Sequence, residues 1–214
     1  MSTGTEAGRE RNLRTLAALA ALFLLPLVLA FLTYYGTDWR PAGRVNHGTL
    51  ISPARPLPPV TLPSVALPPV VPTPAAQPQA SPGATAAAPW RGKWSLVYVG
   101  GGGCDDACHR SLLLMRQTRL ALNTDMTRVA RVFLVSGECC DREFLAREHA
   151  GLLVLDASGA DGQRLLREFP AAQRANTLFV VDPLGNLMMR YDARANPRGL
   201  LEDLKKLLRL SQIG

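Results

Sequence analysis

Cys104 and Cys108 stand in the stretch Val97-Tyr-Val-Gly-Gly-Gly-Gly-Cys-Asp-Asp-Ala-Cys-His-Arg-Ser-Leu112, an apolar run, a glycine turn and then a helix-forming segment. A spacing of four puts both sulfurs on one face of a first helical turn, close enough for a disulfide or a shared soft metal ion. The free N–H groups and the positive dipole end of a helix start favour a thiolate there. Asp105 and Asp106 suit the same helix start, but their negative charge opposes the thiolate. The plainer alternative is a pair of buried cysteines that only pack.

Few other side chains could join them. His109 adjoins Cys108 and on a helix points about 100° away from it. His149 ends a predicted helix and His47 lies just beyond an apolar N-terminal segment, so surface or packing roles suit all three. Met188 and Met189 fall on a predicted strand and must point to opposite faces; packing suits Met115 and whichever of the two turns inward. Cys139 and Cys140 follow a second predicted strand, whose end belongs on the same rim as the end of the strand before Cys104 if the two are parallel. Four thiols there could form a relay, a second disulfide or a soft-metal site, or Cys139 and Cys140 could be bystanders. A structural zinc is disfavoured, because C-x3-C plus C-C is not its usual ligand spacing.

Strand and helix patterns alternate around these residues. Strands are predicted at 94–99, 128–135 and 152–155, helices at 106–123, 141–149 and 162–168. Residues 177–181 and 187–191 read as a hairpin through Asp182-Pro-Leu-Gly-Asn186, and Pro197 opens an amphipathic helix over 200–210. In the first helix Leu112, Leu113, Met115, Leu120 and Leu122 are the expected apolar surface. This pattern predicts an α/β fold with a mostly parallel core and an antiparallel edge supplied by the hairpin.

The rest of the chain is organised around that domain. No charged residue occurs from Thr15 to Thr37, a run long enough to span a bilayer, with Tyr34, Tyr35 and Trp39 as an interfacial belt. A cleaved signal peptide would have a shorter apolar core and a small-residue cleavage site. Arg9, Arg11 and Arg14 precede the span, which predicts a cytoplasmic N-terminus and an extracytoplasmic remainder where disulfides persist. Twelve of the 17 prolines lie between Pro53 and Pro89, a composition that favours extended polyproline chain and suits a spacer. The expected organisation is therefore a cytoplasmic tail over 1–14, a transmembrane helix over 15–37, a Pro/Ala-rich linker over 38–90 and a domain over 91–214. Within the linker, residues 46–53 could add a short strand to the domain. The formal charge of +7 is dispersed along predicted helices; without a basic run interleaved with aromatics, a nucleic-acid partner is not expected.

The C-x3-C helix start, the second strand and Val181-Asp-Pro-Leu-Gly-Asn186 resemble the thioredoxin fold, and more narrowly the Sco/SenC family of membrane-tethered copper and redox proteins of cytochrome c oxidase assembly. The resemblance covers about 94–210 and extends to the anchor. It implies a catalytic or copper-binding pair at Cys104 and Cys108, with Cu(I) as the metal and a cytochrome c oxidase subunit, or another extracytoplasmic metalloprotein, as client. Two departures stand out. The segment expected to supply the family's third ligand, a histidine, reads Gln173-Arg-Ala-Asn-Thr177, with Asn176 where a thioredoxin places its cis-proline. The acidic segment after the second strand reads Ser136-Gly-Glu-Cys-Cys-Asp141. The other expected class is a general extracytoplasmic thiol-disulfide oxidoreductase or peroxide-reducing enzyme, which C-x2-C or Thr-x-x-Cys would favour and this chain lacks. A scaffold without redox chemistry is the third.

Overall fold

The computed structural model describes residues 3–36, 46–68, 85–87, 89–211 and 213. They fall into two compact units, Met1–Val45 and Asn46–Gly214.

The described residues of the first unit form one helix, α1 (Thr3–Gly36), of which Asn12–Gly36 is long and apolar enough to cross a membrane, with mean hydropathy 2.6. None of the side chains in that window is buried by protein. An uncovered apolar surface of this length suits lipid rather than water, and the helix satisfies its own backbone bonds. It reads as a single-pass anchor. Trp39, expected in the interfacial belt, lies outside the described residues.

The second unit is built on a six-stranded sheet ordered β1-β8-β7-β4-β5-β6. The strands are β1 (Thr49–Pro56), β4 (Trp94–Gly101), β5 (Val129–Ser136), β6 (Leu153–Asp156), β7 (Thr177–Val181) and β8 (Asn186–Asp192). β4, β5 and β6 are parallel, while β7, β8 and β1 run antiparallel to their neighbours. The sheet is thus α/β as expected, with one difference at its margin. The β7–β8 hairpin does not form the edge, because β7 pairs with β4 and β1 adds itself outside β8.

Side-chain alternation along the strands separates two cores. Leu96 and Tyr98, Phe133 and Val135, and Leu178 and Val180 face one side. There they meet α2 (Asp106–Ala121), α3 (Arg142–Glu148) and α5 (Pro197–Leu210) through Leu112, Met115, Leu145, Leu200, Leu204 and Leu208. On α2 the buried stripe runs through Cys108, Leu112 and Met115, so Leu113 and Leu120 are left exposed, contrary to the expected apolar surface. Val97, Val99, Val132, Leu134, Phe179 and Val181 face the other side, covered by α4 (Ala160–Leu166), Phe169 and Trp90.

Leu57, Val60 and Leu62 also belong to that second core. Here the structure departs from the expected spacer over 38–90, part of which is built into the domain. β1 pairs with β8, so the short strand considered over 46–53 does form on the domain, but over Thr49–Pro56. β2 (Thr61–Pro63) pairs with β3 (Thr85–Ala87), and Val65 donates its N–H to the Val154 carbonyl at 2.9 Å. The buried Asp203 carboxylate of α5 accepts the N–H groups of His47 and Gly48, each at 2.8 Å. Residues 69–84, the heart of the expected spacer, lie outside the described residues.

Candidate functional site

β4 delivers its last residues to the rim where parallel strands end, and the glycine turn carries the chain into α2. Cys104 occupies the left-handed region at φ 36°. Asp105 caps α2: its carboxylate accepts the Cys108 N–H at 3.0 Å, and its carbonyl accepts the His109 N–H at 2.9 Å. That cap holds Cys108 one turn above Cys104, with Cα atoms 5.0 Å apart, and the two sulfurs form a disulfide. Cys104 is half-buried, whereas Cys108 is 2% exposed and sits in the core beneath.

Cys104 opens on a cleft of about 450 Å³, lined also by Tyr98, Asp105, Ser136, Arg174 and Ala175. Burial, and then the nearby Asp105 charge, push the Tyr98 phenol up to about 12. It therefore stays protonated and available as a donor at the cleft floor. Arg174 is anchored by two carbonyls, donating Nε–H to Phe169 at 2.7 Å and an Nη2–H to Leu166 at 2.6 Å. A fixed cation in the same cleft favours negative charge on sulfur. The neighbouring Asn176 has φ 56°, its carbonyl accepts the Ala193 N–H at 2.6 Å, and its side chain accepts from Arg110 of α2 at 3.4 Å. Tyr98 carried no sequence signal, and Arg174 was marked only by lying in the segment where the resemblance expects a third ligand; the fold brings both to the Cys104 cleft.

The histidines go elsewhere. His109 is exposed and stacks on Phe144 at 4.6 Å between ring centroids. His149 is 3% exposed, and its Nδ1 has no hydrogen-bond partner among the described residues. Burial first, and then the Arg131 and Arg116 charges, lower His149 to about 4, so it is neutral at ordinary pH. His47 pairs with Glu202 on α5 at 3.0 Å. Met115 and Met189 are core residues, at 0% and 3% exposed. Among the described residues no group of three or more His, Cys, Asp or Glu side chains is placed to hold a metal. The soft donors at this site are thus two sulfurs, which suit Cu(I) once reduced, without the nitrogen ligands that Cu(II) prefers among the described residues.

Cys139 and Cys140 follow β5 as expected and are bonded to each other, so no described cysteine is free. Their turn borders a second cleft, of about 540 Å³, lined by Val65, Glu138, Cys139, Arg142 and Asp156 among others.

A dithiol placed between the first parallel strand of an α/β sheet and the helix that follows defines a protein of the thioredoxin-like class. Residues 94–211, more than half of the chain, match the family described as "transmembrane-like, thioredoxin-like, C-terminal domain", and the chain belongs to it. Among solved structures, yeast Sco1 with copper bound is 14% identical with a TM-score of 0.56, the match covering 78% of this chain and 95% of that one. ScoI of Bradyrhizobium japonicum with copper bound is 16% identical with a TM-score of 0.51, covering 70% and 98%. The chain therefore shares the Sco architecture, as the sequence motifs suggested. No curated protein matches the chain.

Proposed function

We propose that this protein is a membrane-anchored, extracytoplasmic thiol-disulfide factor of the Sco-like kind, whose Cys104/Cys108 pair serves a metal-site subunit of cytochrome c oxidase or a comparable metalloprotein. The observation that carries the reading is the pair itself, closed as a disulfide at the mouth of a cleft, with Cys104 half-buried and Cys108 buried. In the reduced protein the accessible Cys104 thiolate attacks a client disulfide, and Cys108 then attacks Cys104 in the mixed disulfide. The client leaves with two thiols and the protein with its disulfide restored. Arg174 and the α2 dipole favour the attacking thiolate, and Tyr98 can donate a hydrogen bond into the cleft.

Cu(I) transfer is the second reading, supported by the copper-bound state of yeast Sco1 and Bradyrhizobium ScoI, which share this fold. Here Cu(I) is cargo, held by the two thiolates of the reduced pair until a client with more donors takes it. The proposed orientation, with the domain outside the cytoplasmic membrane where such a client would face it, is supported by Arg9, Arg11 and Arg14 ahead of the apolar span.

Residues 46–214, fully reduced, should bind Cu(I) and should reduce a disulfide-bonded peptide carrying an oxidase-type pair of cysteines. Cys104→Ser should abolish peptide reduction and lower the bound Cu(I). If peptide reduction persists in Cys104→Ser, the pair is not the working site.

A further inference from the structure

We propose that Cys139 and Cys140 form a second dithiol–disulfide site that exchanges reducing equivalents with Cys104 and Cys108. The inference rests on the redox reading of Cys104 and Cys108 and adds to it an internal donor.

The sheet brings the two pairs together. β4 and β5 are parallel and in register through Gly101 and Ser136, so the turns that follow them, 102–104 and 137–140, emerge side by side. They touch at Gly102. A Cβ there would fall 1.5 Å from the Glu138 carbonyl oxygen and 3.0 Å from the Cys139 Cα, a separation that only a glycine tolerates. Gly102 is buried by this contact although Gly101 and Gly103 on either side are exposed. Beneath the turns, Cys104, Cys139 and Cys140 all pack on the core cluster that contains Cys108.

The pairs also have separate doors. Cys104 opens on the cleft with Tyr98 and Arg174, whereas Cys139 opens on the cleft with Val65, Glu138 and Arg142. A protein dithiol acting as reductant can thus reach one pair while a client occupies the other. In the first step that dithiol becomes a disulfide, and Cys139 and Cys140 take up its two electrons and two protons. A thiolate of the 139/140 pair then attacks Cys104 Sγ; the Cys104–Cys108 bond breaks and Cys108 leaves as a thiolate that takes up a proton. The remaining thiol of the pair attacks the mixed disulfide at its neighbour's sulfur, which closes Cys139–Cys140 and releases Cys104 as a thiol. Two electrons and two protons have moved from one pair to the other.

The full chain in detergent tests this with two double variants, Cys108→Ser with Cys140→Ser and Cys108→Ser with Cys139→Ser. Each leaves one cysteine at either site. Mild oxidation with diamide should give an intramolecular disulfide between Cys104 and Cys139 or Cys140 in at least one variant, with a yield independent of protein concentration. Peptide mapping should find the same link in the unsubstituted chain held in a dithiothreitol redox buffer and quenched with acid, a measurement that needs no variant to fold. Absence of the cross-pair link from both variants and from the unsubstituted chain would overturn the proposal. If excess dithiothreitol never opens Cys104–Cys108, the redox reading itself fails, a result distinct from the missing cross-pair link.

Discussion

Cys104 and Cys108 divide the labour of thiol exchange by exposure: one sulfur is reachable and the other is held in the core behind it. What the pair lacks is a nitrogen donor, and the structure indicates where one fits. Arg174 is committed to two carbonyls and Asn176 holds a left-handed backbone, but Ala175 lines the Cys104 cleft with no such duties. Ala175→His should strengthen Cu(I) binding on the order of tenfold, about 1.4 kcal/mol, in a competition titration against a calibrated chelator; unchanged affinity would remove that turn from the metal site. His149 makes a second prediction. Its folded-state value of about 4 lies below the ordinary 6.5, chiefly through burial. Between those values the unfolded chain binds more protons, so stability is complete above about 6.5 and is lost as pH falls toward 4. The loss between pH 7 and pH 5 is about 2 kcal/mol. Urea titrations should show a smaller pH 7 to pH 5 decrease in His149→Leu than in the parent; equal decreases would assign the acid sensitivity to other groups.

The start of α2 carries competing demands. Asp105 supplies the cap that fixes Cys108 above Cys104, yet it places a carboxylate beside the sulfur that must attack. Asp105→Ala should cost about 1 kcal/mol of stability through the lost cap. It should also raise the rate at which Cys104 reacts with iodoacetamide in the reduced protein, because a charge that opposes the thiolate is gone. A slower alkylation would mean that the cap's ordering of the turn outweighs its charge. α5 serves the fold in a different way. Its leucines at positions 200, 204 and 208 close the first core, and Asp203, on the same helix, clasps the backbone of His47 and Gly48.

The whole molecule is an apolar helix and a domain that begins at Asn46, so the expected domain start at Arg91 leaves structural residues behind. Leu57, Val60, Leu62 and Trp90 are all at most 7% exposed, and removing them forfeits roughly 6 kcal/mol or more of apolar burial, a large share of a domain's net stability. Residues 46–214 should unfold cooperatively on heating, whereas residues 91–214 should bind an apolar dye and show no sharp transition. Equal melting of the two chains would show that the 46–68 segment is dispensable. With arginines before the anchor, a phosphatase reporter joined after Gly214 should be active only outside the cytoplasm; a cytoplasmically active fusion would reverse the orientation and with it the proposed client.

By itself the sequence determined the features that are local in the chain. The C-x3-C pair at a helix start, the alternation of strand and helix over 94–210 and the apolar span each rest on spacing within one segment, where periodicity and capping act. The Asp182-Pro-Leu-Gly-Asn186 turn was legible for the same reason: the Asp182 carboxylate accepts the N–H groups of Leu184 and Asn186, a few residues away. Tertiary structure alone decided which distant segments meet. A short strand over 46–53 could be considered from the sequence, but its partner β8 and its run to Pro56 through a proline-dotted, mostly exposed stretch were set by the fold. The carboxylate that secures His47 and Gly48 lies 155 or more residues further along the chain. Likewise the contact of Gly102 with Glu138 follows from where the turns come to rest at the end of the sheet. Packing sets those positions through the summed burial of residues far apart in sequence, and no local pattern encodes that sum.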